Sequence, residues 1–443
     1  MVALQNRRDT SENLEEKGVE TGPLQANEAT QTALIDRGKD AWLFLAACFF
    51  MEALVWGFAF TYGVFQAYYS SLDMFKDSGN IAVIGTCAMR HILGIMYLDL
   101  PIVFAVYRRW PKYQRAGCAI GVLLMCFAMA MSSFATTVTH LIVTQGVFYA
   151  LGGSIAYSPC ILLMEDWFDK RKGLAFGVMW AGTGLGGVIL PIVMESLLDR
   201  FGFRVALRAF AVALFVFTAP LVYFVKPRVP VSQRPRSPPT SLRFVFSWTF
   251  ALFEICNIIE ALGFFLPSIY LPSYARAIGA RTSMDALAVI LLNVASVIGC
   301  VVMGAIIDKW DVTTCILLST IGSSLGVFLL WGFSVSLAPL LVFAVVYGLF
   351  AGSYTSTWPG IMRDIVEKKA SADSTMVLAW LSAGRGIGNI VSGPLSEALL
   401  KNMPWKGQAG YGYGSGYGTL IVFTGVTGVI GGGSYVARRL QWM

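Results

Sequence analysis

Twelve long apolar stretches are the feature that most limits how this chain can fold. Each stretch is long enough to cross a hydrocarbon core as a helix, which takes about 20 residues. Open strands would leave backbone groups without hydrogen bonds in lipid, so the pattern predicts helices surrounded by a lipid bilayer. The stretches, spans 1 to 12, lie at 42–66, 81–107, 116–136, 139–163, 173–197, 204–225, 245–270, 285–307, 313–333, 338–361, 376–399 and 417–437.

The composition agrees with a chain that lies mostly in lipid. Hydrophobic residues make up 56% and charged residues only 13% of the 443 residues, whereas soluble proteins carry about 25% charged residues. The net charge of +7 is not concentrated in a polar domain, so nucleic acid is not an expected partner. A cytosolic globular enzyme and a disordered protein are excluded on the same grounds.

Two polar segments divide the chain. Residues 1–40 are polar and Glu-rich, which predicts a disordered cytoplasmic tail. Residues 226–244 contain five prolines and five basic residues without an acid, which predicts a cytoplasmic linker. The linker separates residues 41–225 from residues 245–443, with six spans in each half. This arrangement indicates two six-helix bundles related by pseudo-symmetry.

The basic residues predict the orientation in the membrane. With the N-terminus inside, the inner loops hold more than twice as many Lys and Arg residues as the outer loops. Cytoplasmic loops of membrane proteins carry this excess, so both termini are expected in the cytoplasm. We expect a multi-pass protein of the plasma membrane, with the vacuolar or another internal membrane as the alternative.

Metal, cofactor and enzyme chemistry find little support. The cysteines lie inside apolar stretches without a Cys-x-x-Cys pair, and the two histidines are far apart; no metal and no cofactor are therefore expected. Gly182, Gly184 and Gly186 lie in an apolar span with no strand before it, so we favour helix packing at Gly182 and Gly186 over dinucleotide binding. Pro191 then permits a kink. No ATP-binding loop or catalytic triad is recognisable, and we expect no enzyme activity.

The connection between spans 4 and 5 carries the most specific motif. It reads Trp167-Phe168-Asp169-Lys170-Arg171, followed by Ala175-x-Gly177. This stretch resembles the aromatic-Phe-x-Lys-Arg-x-x-Ala-x-Gly motif of the monocarboxylate porter family, within the major facilitator superfamily. Gly384-Arg385-Gly386 in span 11 is similar to the fungal branch. The resemblance, from about residue 40 onward, implies the major facilitator fold and a secondary active transporter that moves a small organic acid or carboxylate-bearing metabolite by alternating access.

Span 8 departs from the pattern of that family. Many members carry an Arg four residues before a Gly, and the proton-coupled members an Asp before it. Here Gly304 is preceded by Cys300 and Ser296. The proton and carboxylate machinery of those relatives is therefore not carried over, and proton coupling stays open. Two alternatives remain: an exporter of a specialised metabolite from a biosynthetic gene cluster, or, from another class, a non-transporting membrane sensor.

Ionisable residues inside the spans are candidate functional residues because a charge in the membrane is unfavourable. Arg385 is the strongest candidate, since it can bind a substrate carboxylate or pair with Glu254 or Glu260 of span 7. Glu52 and Glu260, at similar places in the two halves, are candidates for proton or ion coupling, with structural pairing or snorkelling near a helix end as the alternative. The remaining candidates for substrate binding are Asn257, Glu254, Tyr62, Tyr157 and Trp358.

Charged loop residues suggest a cytoplasmic gate built from ion pairs. Its candidate members are Asp166, Asp169, Lys170, Arg171, Asp308 and Lys309. Anchoring of the loops at the membrane surface is the alternative. Arg90 and His91, inside span 2, leave three interpretations open: a substrate or proton site, a helix distortion, or an error in the gene model.

Overall fold

A computed structural model describes residues 35–72, 94–229, 241–280 and 282–443. Arg90 and His91, most of the predicted tail and the centre of the predicted linker lie outside the described residues. Helices account for the described spans. In the N-terminal half they are Lys39–Ser71 for span 1, Leu100–Arg109 for the end of span 2, Gln114–Ser132 for span 3, Val138–Leu141, Ile142–Phe148 and Tyr149–Leu162 for span 4, and Lys172–Phe224 for spans 5 and 6.

The C-terminal half repeats this pattern with more interruptions. Span 7 breaks at Phe265 and span 10 between Phe350 and Trp358; a proline, Pro267 or Pro359, starts the second helix of each. Proline suits the first turn of a helix, so the sequence allows a helix to start at each of these positions. The helices are Trp248–Phe264, Leu266–Ala277, Thr282–Ile307, Val312–Leu325, Gly326–Trp331, Leu337–Phe350, Trp358–Lys368, Ser374–Leu400, Gly418–Gly431 and Gly433–Arg439.

The helices of the described chain account for the predicted spans. Among these residues, nine helices are long and apolar enough to cross a membrane. One of them, Lys172–Phe224, contains both spans 5 and 6, which meet at Gly202, where φ is 75°. Only glycine adopts such a backbone easily. Span 11, which contains Arg385, and span 2, which is partly described, complete the twelve. The predicted all-α fold with twelve spans is confirmed.

Glycines let span 5 pack closely on two neighbours. A Cβ atom on Gly182 or Gly186 would collide with the carbonyl oxygens of Phe49 or Ala53 in span 1, and one on Gly177 with that of Cys300 in span 8. Small residues allow helix backbones to approach in this way. Span 5 therefore joins span 1 to the other bundle. Pro191 lies within this helix; non-helical dihedral angles occur only at Gly202.

Replacing Gly182 by Ala is expected to lower the free energy of unfolding by about 1–3 kcal/mol, because the added methyl group must push two backbones apart. Thermal unfolding in detergent measures this. Gly63→Ala is the matched control, since a Cβ atom at Gly63 meets nothing within 4 Å. Equal midpoints for the two variants would contradict the packing argument.

Candidate functional site

A buried ion pair lies where the two bundles meet. Arg385 Nη1 of span 11 donates to Glu260 Oε2 of span 7 at 2.7 Å, and the two residues are only 1% and 7% exposed. Phe264 lies 4.3 Å and Tyr354 5.9 Å from the guanidinium carbon, measured to the ring centroids. These two aromatic residues come from the interrupted parts of spans 7 and 10. A cation enclosed by rings and one carboxylate is held in a site that largely excludes water.

Polar groups without partners surround this pair. Arg385 Nη2 and both amide atoms of Asn389 are buried and make no hydrogen bond within the described chain. Asn389 follows Arg385 by four residues, so both lie on one face of span 11. Asn257 Nδ2 donates to the Leu381 carbonyl at 2.7 Å, but its Oδ1 also lacks a described partner. Buried polar groups are normally satisfied, so this cluster is suited to a ligand.

Glu254 lies beside the pair without joining it. Its carboxylate packs against Gly384, where a Cβ atom would collide with Oε1, and its buried Oε2 has no hydrogen-bond partner among the described residues. Of the two acids that the sequence offered to Arg385, Glu260 is therefore the one that binds it. Glu254 remains an acceptor close to the same helix face.

Glu52 of span 1 occupies a second buried position. It is 2% exposed, and Thr183 Oγ1 of span 5 donates to its Oε1 at 2.8 Å. Its Oε2 makes no hydrogen bond of acceptable geometry in the described part of the protein, although the Tyr157 hydroxyl lies nearby. The Tyr97 hydroxyl of span 2 lies within hydrogen-bonding reach of the Arg385 side chain and close enough to interact electrostatically with Glu52 and Glu260. The candidate acids thus share one region.

Aromatic side chains connect the two halves of the site. Trp180 Nε1 donates to the Tyr157 hydroxyl at 3.0 Å, and the Trp180 ring lies edge-on to Trp358 of the other bundle at 5.7 Å. Trp56 contacts Tyr157 with a centroid distance of 5.8 Å. The structure therefore brings the predicted residues Tyr157 and Trp358 into one cluster. The side chain of Tyr62 lies outside the described residues.

The two bundles also meet at the face predicted to be cytoplasmic, which we call the inner face. Asp308, after span 8, accepts from the backbone N–H groups of Gly173 at 2.6 Å and Leu174 at 2.9 Å. These groups form the first turn of span 5, where the helix dipole favours an anion. Burial raises the pKa of Asp308, and the two N–H groups oppose that rise. Asp308 therefore links the C-terminal bundle to the start of span 5 through two hydrogen bonds.

A second contact on the inner face joins Arg108, after span 2, to Asp373, before span 11. Asp373 also caps span 11 through the Met376 N–H. Burial acts to raise the pKa of Asp373, but the bonds from Arg108 and Thr375 prevail and lower it. Lys172 adds a bond to Ser374 at 3.1 Å. These contacts join the two bundles at the inner face.

The predicted gate residues are placed differently from the pairs that the sequence suggested. The side chains of Asp169, Lys170, Arg171 and Lys309 point to the surface and make no ion pair with another described residue. Asp166 accepts from Arg228 through its backbone carbonyl. The gate therefore stays a prediction, in which Asp308 has the clearest contact.

Sequence reasoning missed Asp36. Its carboxylate accepts from three successive backbone N–H groups, those of Asp169, Lys170 and Arg171, at 2.9–3.1 Å. Its own N–H donates to the Trp167 carbonyl at 3.0 Å. The segment before span 1 is therefore fixed to the 4–5 connection. The positive φ of 60° at Asp36 indicates a tight turn, but a single Asp in a polar stretch gave no sequence signal.

Comparison with known proteins matches this architecture. The family model of the Major Facilitator Superfamily matches residues 45–255 and 253–432. The chain belongs to the major facilitator superfamily. It is 28% identical to "MFS-type transporter 1" of Ophiocordyceps sp. over 96% of this chain and 91% of the relative. It is 26% identical to "MFS transporter asaE" of Aspergillus flavus and to "Agnestins efflux protein AgnL12" of Paecilomyces divaricatus, over 90% of this chain and 87% of each relative.

Membership of the superfamily gives the site its context. Transporters of this superfamily carry small molecules, and the interrupted helices and buried polar cluster lie between the two bundles, where secondary transporters bind their substrates. The expectation of a multi-pass membrane transporter is thus confirmed. The superfamily and the named relatives point to transport rather than catalysis.

Proposed function

We propose that this major facilitator transporter exports a carboxylate-bearing organic metabolite by alternating access. The observation that carries the proposal is the buried Arg385–Glu260 pair at the bundle interface. A guanidinium binds a carboxylate through two parallel N–H donors. Arg385 Nη2 makes no hydrogen bond of acceptable geometry in the described protein, although the Tyr97 hydroxyl lies near the guanidinium. A substrate carboxylate therefore has a donor available beside the one that Glu260 now occupies.

The pair suggests how substrate and proton are coupled. When a substrate carboxylate replaces Glu260 on Arg385, Glu260 becomes an uncompensated buried anion, which is strongly unfavourable. Taking up a proton removes that charge. The anion and the proton are then carried together, and the loaded transporter gains no net charge. Glu52, with one unpartnered oxygen, is the second candidate for the proton.

Export of a specialised metabolite is the direction we favour. Among the named relatives, one is called an efflux protein, of agnestins. In span 8, Cys300 and Ser296 occupy the positions where proton-coupled monocarboxylate porters are expected to carry Arg and Asp. The buried ion pair of this chain, Glu260 and Arg385, lies instead in spans 7 and 11. A monocarboxylate porter of the fungal branch with its charged site in those two spans fits the sequence. Export from the cell fits a location in the plasma membrane.

Transport by purified protein in liposomes tests the function. We expect labelled 4-hydroxybenzoate, but not the neutral 4-hydroxybenzamide of similar shape, to move faster than in protein-free liposomes. A pH gradient should drive the flux, whereas a potential set with potassium and valinomycin should not, because the loaded site is neutral. Transport of the amide at the rate of the acid would overturn the carboxylate assignment, and a voltage-driven flux would overturn the coupling.

A further inference from the structure

A small cavity lies behind the ion pair, inside the C-terminal bundle. Its volume is ≈ 10 Å³ for a water-sized sphere. Glu260, the residue that pairs with Arg385, forms part of its wall. Spans 7, 9, 10 and 12 supply the lining, which includes Glu260, Ser323, Ser324, Tyr347, Thr424 and Gly428.

Two hydroxyl groups in this lining lack partners. Ser324 Oγ of span 9 and Thr424 Oγ1 of span 12 are buried and make no hydrogen bond with any described residue. Helical Ser and Thr commonly donate to the carbonyl one turn earlier, as Thr427 does to Phe423 at 3.0 Å. The two hydroxyls therefore have room for a partner other than the described residues.

The cavity fits one water molecule. A buried water needs about 10–15 Å³ and two to four polar partners; Glu260, Ser324 and Thr424 provide three. A metal cation fits less well, because Arg385 already compensates the only carboxylate in the lining. We propose that this cavity is a water site through which Glu260 exchanges its proton, separate from the side of Glu260 that faces Arg385. The inference rests on the proposed function and adds a route for its proton.

The chemistry is a single proton transfer. When a substrate carboxylate has bound Arg385, a hydronium ion in the cavity transfers one proton to the Glu260 carboxylate. A water molecule remains in the cavity. The reverse step returns the proton when Glu260 binds Arg385 again. The titratable or charged groups that face Glu260 are Arg385 of span 11, Tyr97 of span 2, and Tyr347 and Tyr354 of span 10. None of these four groups is a carboxylic acid.

Further hydroxyls extend from the cavity between spans 9 and 12. Gly428 packs beside Ser323 and Ser324, and Gly432, one turn nearer the inner face, packs beside Thr320. Ser434 Oγ, beyond Gly432, is also buried without a described partner. At the end of this row Arg438 pairs with Asp311 at 2.6 Å. The polar row leads from the cavity toward the inner face.

Gly428→Ala tests the water site by filling it. A Cβ atom there would lie 3.3 Å from Ser324 Oγ, in the space of the water. We expect pH-driven net efflux of 4-hydroxybenzoate from liposomes to fall about 100-fold, in line with the loss of a proton-transfer group. Exchange of labelled for unlabelled 4-hydroxybenzoate should continue within about twofold, because the proton stays on Glu260 throughout that cycle.

Two further variants make the result decisive. Gly433→Ala, with Cys256 Sγ at an ordinary 3.5 Å from the added Cβ atom, is the control and should transport like wild type. Ser324→Ala with Thr424→Val removes the hydroxyls without filling the space and should reproduce the loss of net efflux. Unchanged net efflux in both cavity variants would overturn the water site. Wild-type protein that neither exchanges nor exports the acid would instead refute the proposed function.

Discussion

Replacing Arg385 by Gln is expected to abolish transport and to destabilise the fold. The change leaves Glu260 buried without its cation, and breaking such a pair on one side destabilises a protein by about 3–5 kcal/mol. The substrate carboxylate also loses its hydrogen-bond donor. Loss of a charged hydrogen bond of about 3 kcal/mol is expected to lower the transport rate about 100-fold. Thermal unfolding in detergent and 4-hydroxybenzoate efflux from liposomes measure the two effects.

The double variant with Glu260→Gln separates stability from function. Removing both charges is often neutral for a buried pair, so the unfolding midpoint should return close to the wild-type value. Transport should stay lost because no guanidinium remains. Arg439→Gln, at an exposed position near the C-terminus, controls for the loss of one positive charge. Efflux at the wild-type rate in the double variant would remove Arg385 from the substrate site.

The sequence predicts the spans well because lipid imposes one requirement on each of them. A stretch that crosses the membrane must satisfy its backbone internally, so length and hydropathy decide its structure. The break inside Lys172–Phe224 was also predictable, since Gly202 lies between two apolar stretches. The predicted boundaries of spans 7 and 10 contained no break, because Pro267 and Pro359 were not weighed as helix starts.

Pairing between distant residues could not be predicted in the same way. Arg385 was recognisable as a buried charge, but Glu254 and Glu260 were equally available to it until the rotation of span 7 was known. On the inner face, 267 residues separate Arg108 from its partner Thr375. Asp308 binds backbone N–H groups rather than a charged side chain, and a search for opposite charges does not find such a contact.

The inner-face contacts define the conformational step of the cycle. Alternating access requires this face to open, so each contact between the bundles sets part of the equilibrium between closed and open states. The Arg108–Asp373 pair is partly exposed and contributes about 1 kcal/mol or less. Asp308 accepts two hydrogen bonds at a helix N-terminus and is the stronger contact.

Replacing Asp308 by Ala is therefore expected to shift the protein toward a state open to the inner face. Two N–H groups of span 5 lose a charged acceptor, a change of about 3 kcal/mol that favours the open state about 100-fold. Cys300 is 4% exposed; its carbonyl oxygen lies against Gly177 of span 5, and its thiol donates to the Gly352 carbonyl at 3.2 Å. In a variant with Cys300 as the single cysteine, its alkylation by a maleimide added at the inner face should accelerate by a similar factor.

Variants of two neighbouring residues rank the contributions to closure. Lys309→Ala changes the adjacent, exposed side chain and should leave the alkylation rate unchanged. Arg108→Gln should raise it about fivefold at most, since a partly exposed ion pair contributes about 1 kcal/mol or less. If Asp308→Ala is alkylated no faster than Lys309→Ala, the contact with the start of span 5 does not hold the bundles together. Closure would then rest on the glycine-mediated packing between spans 5 and 8, which Gly177 and Gly304 supply.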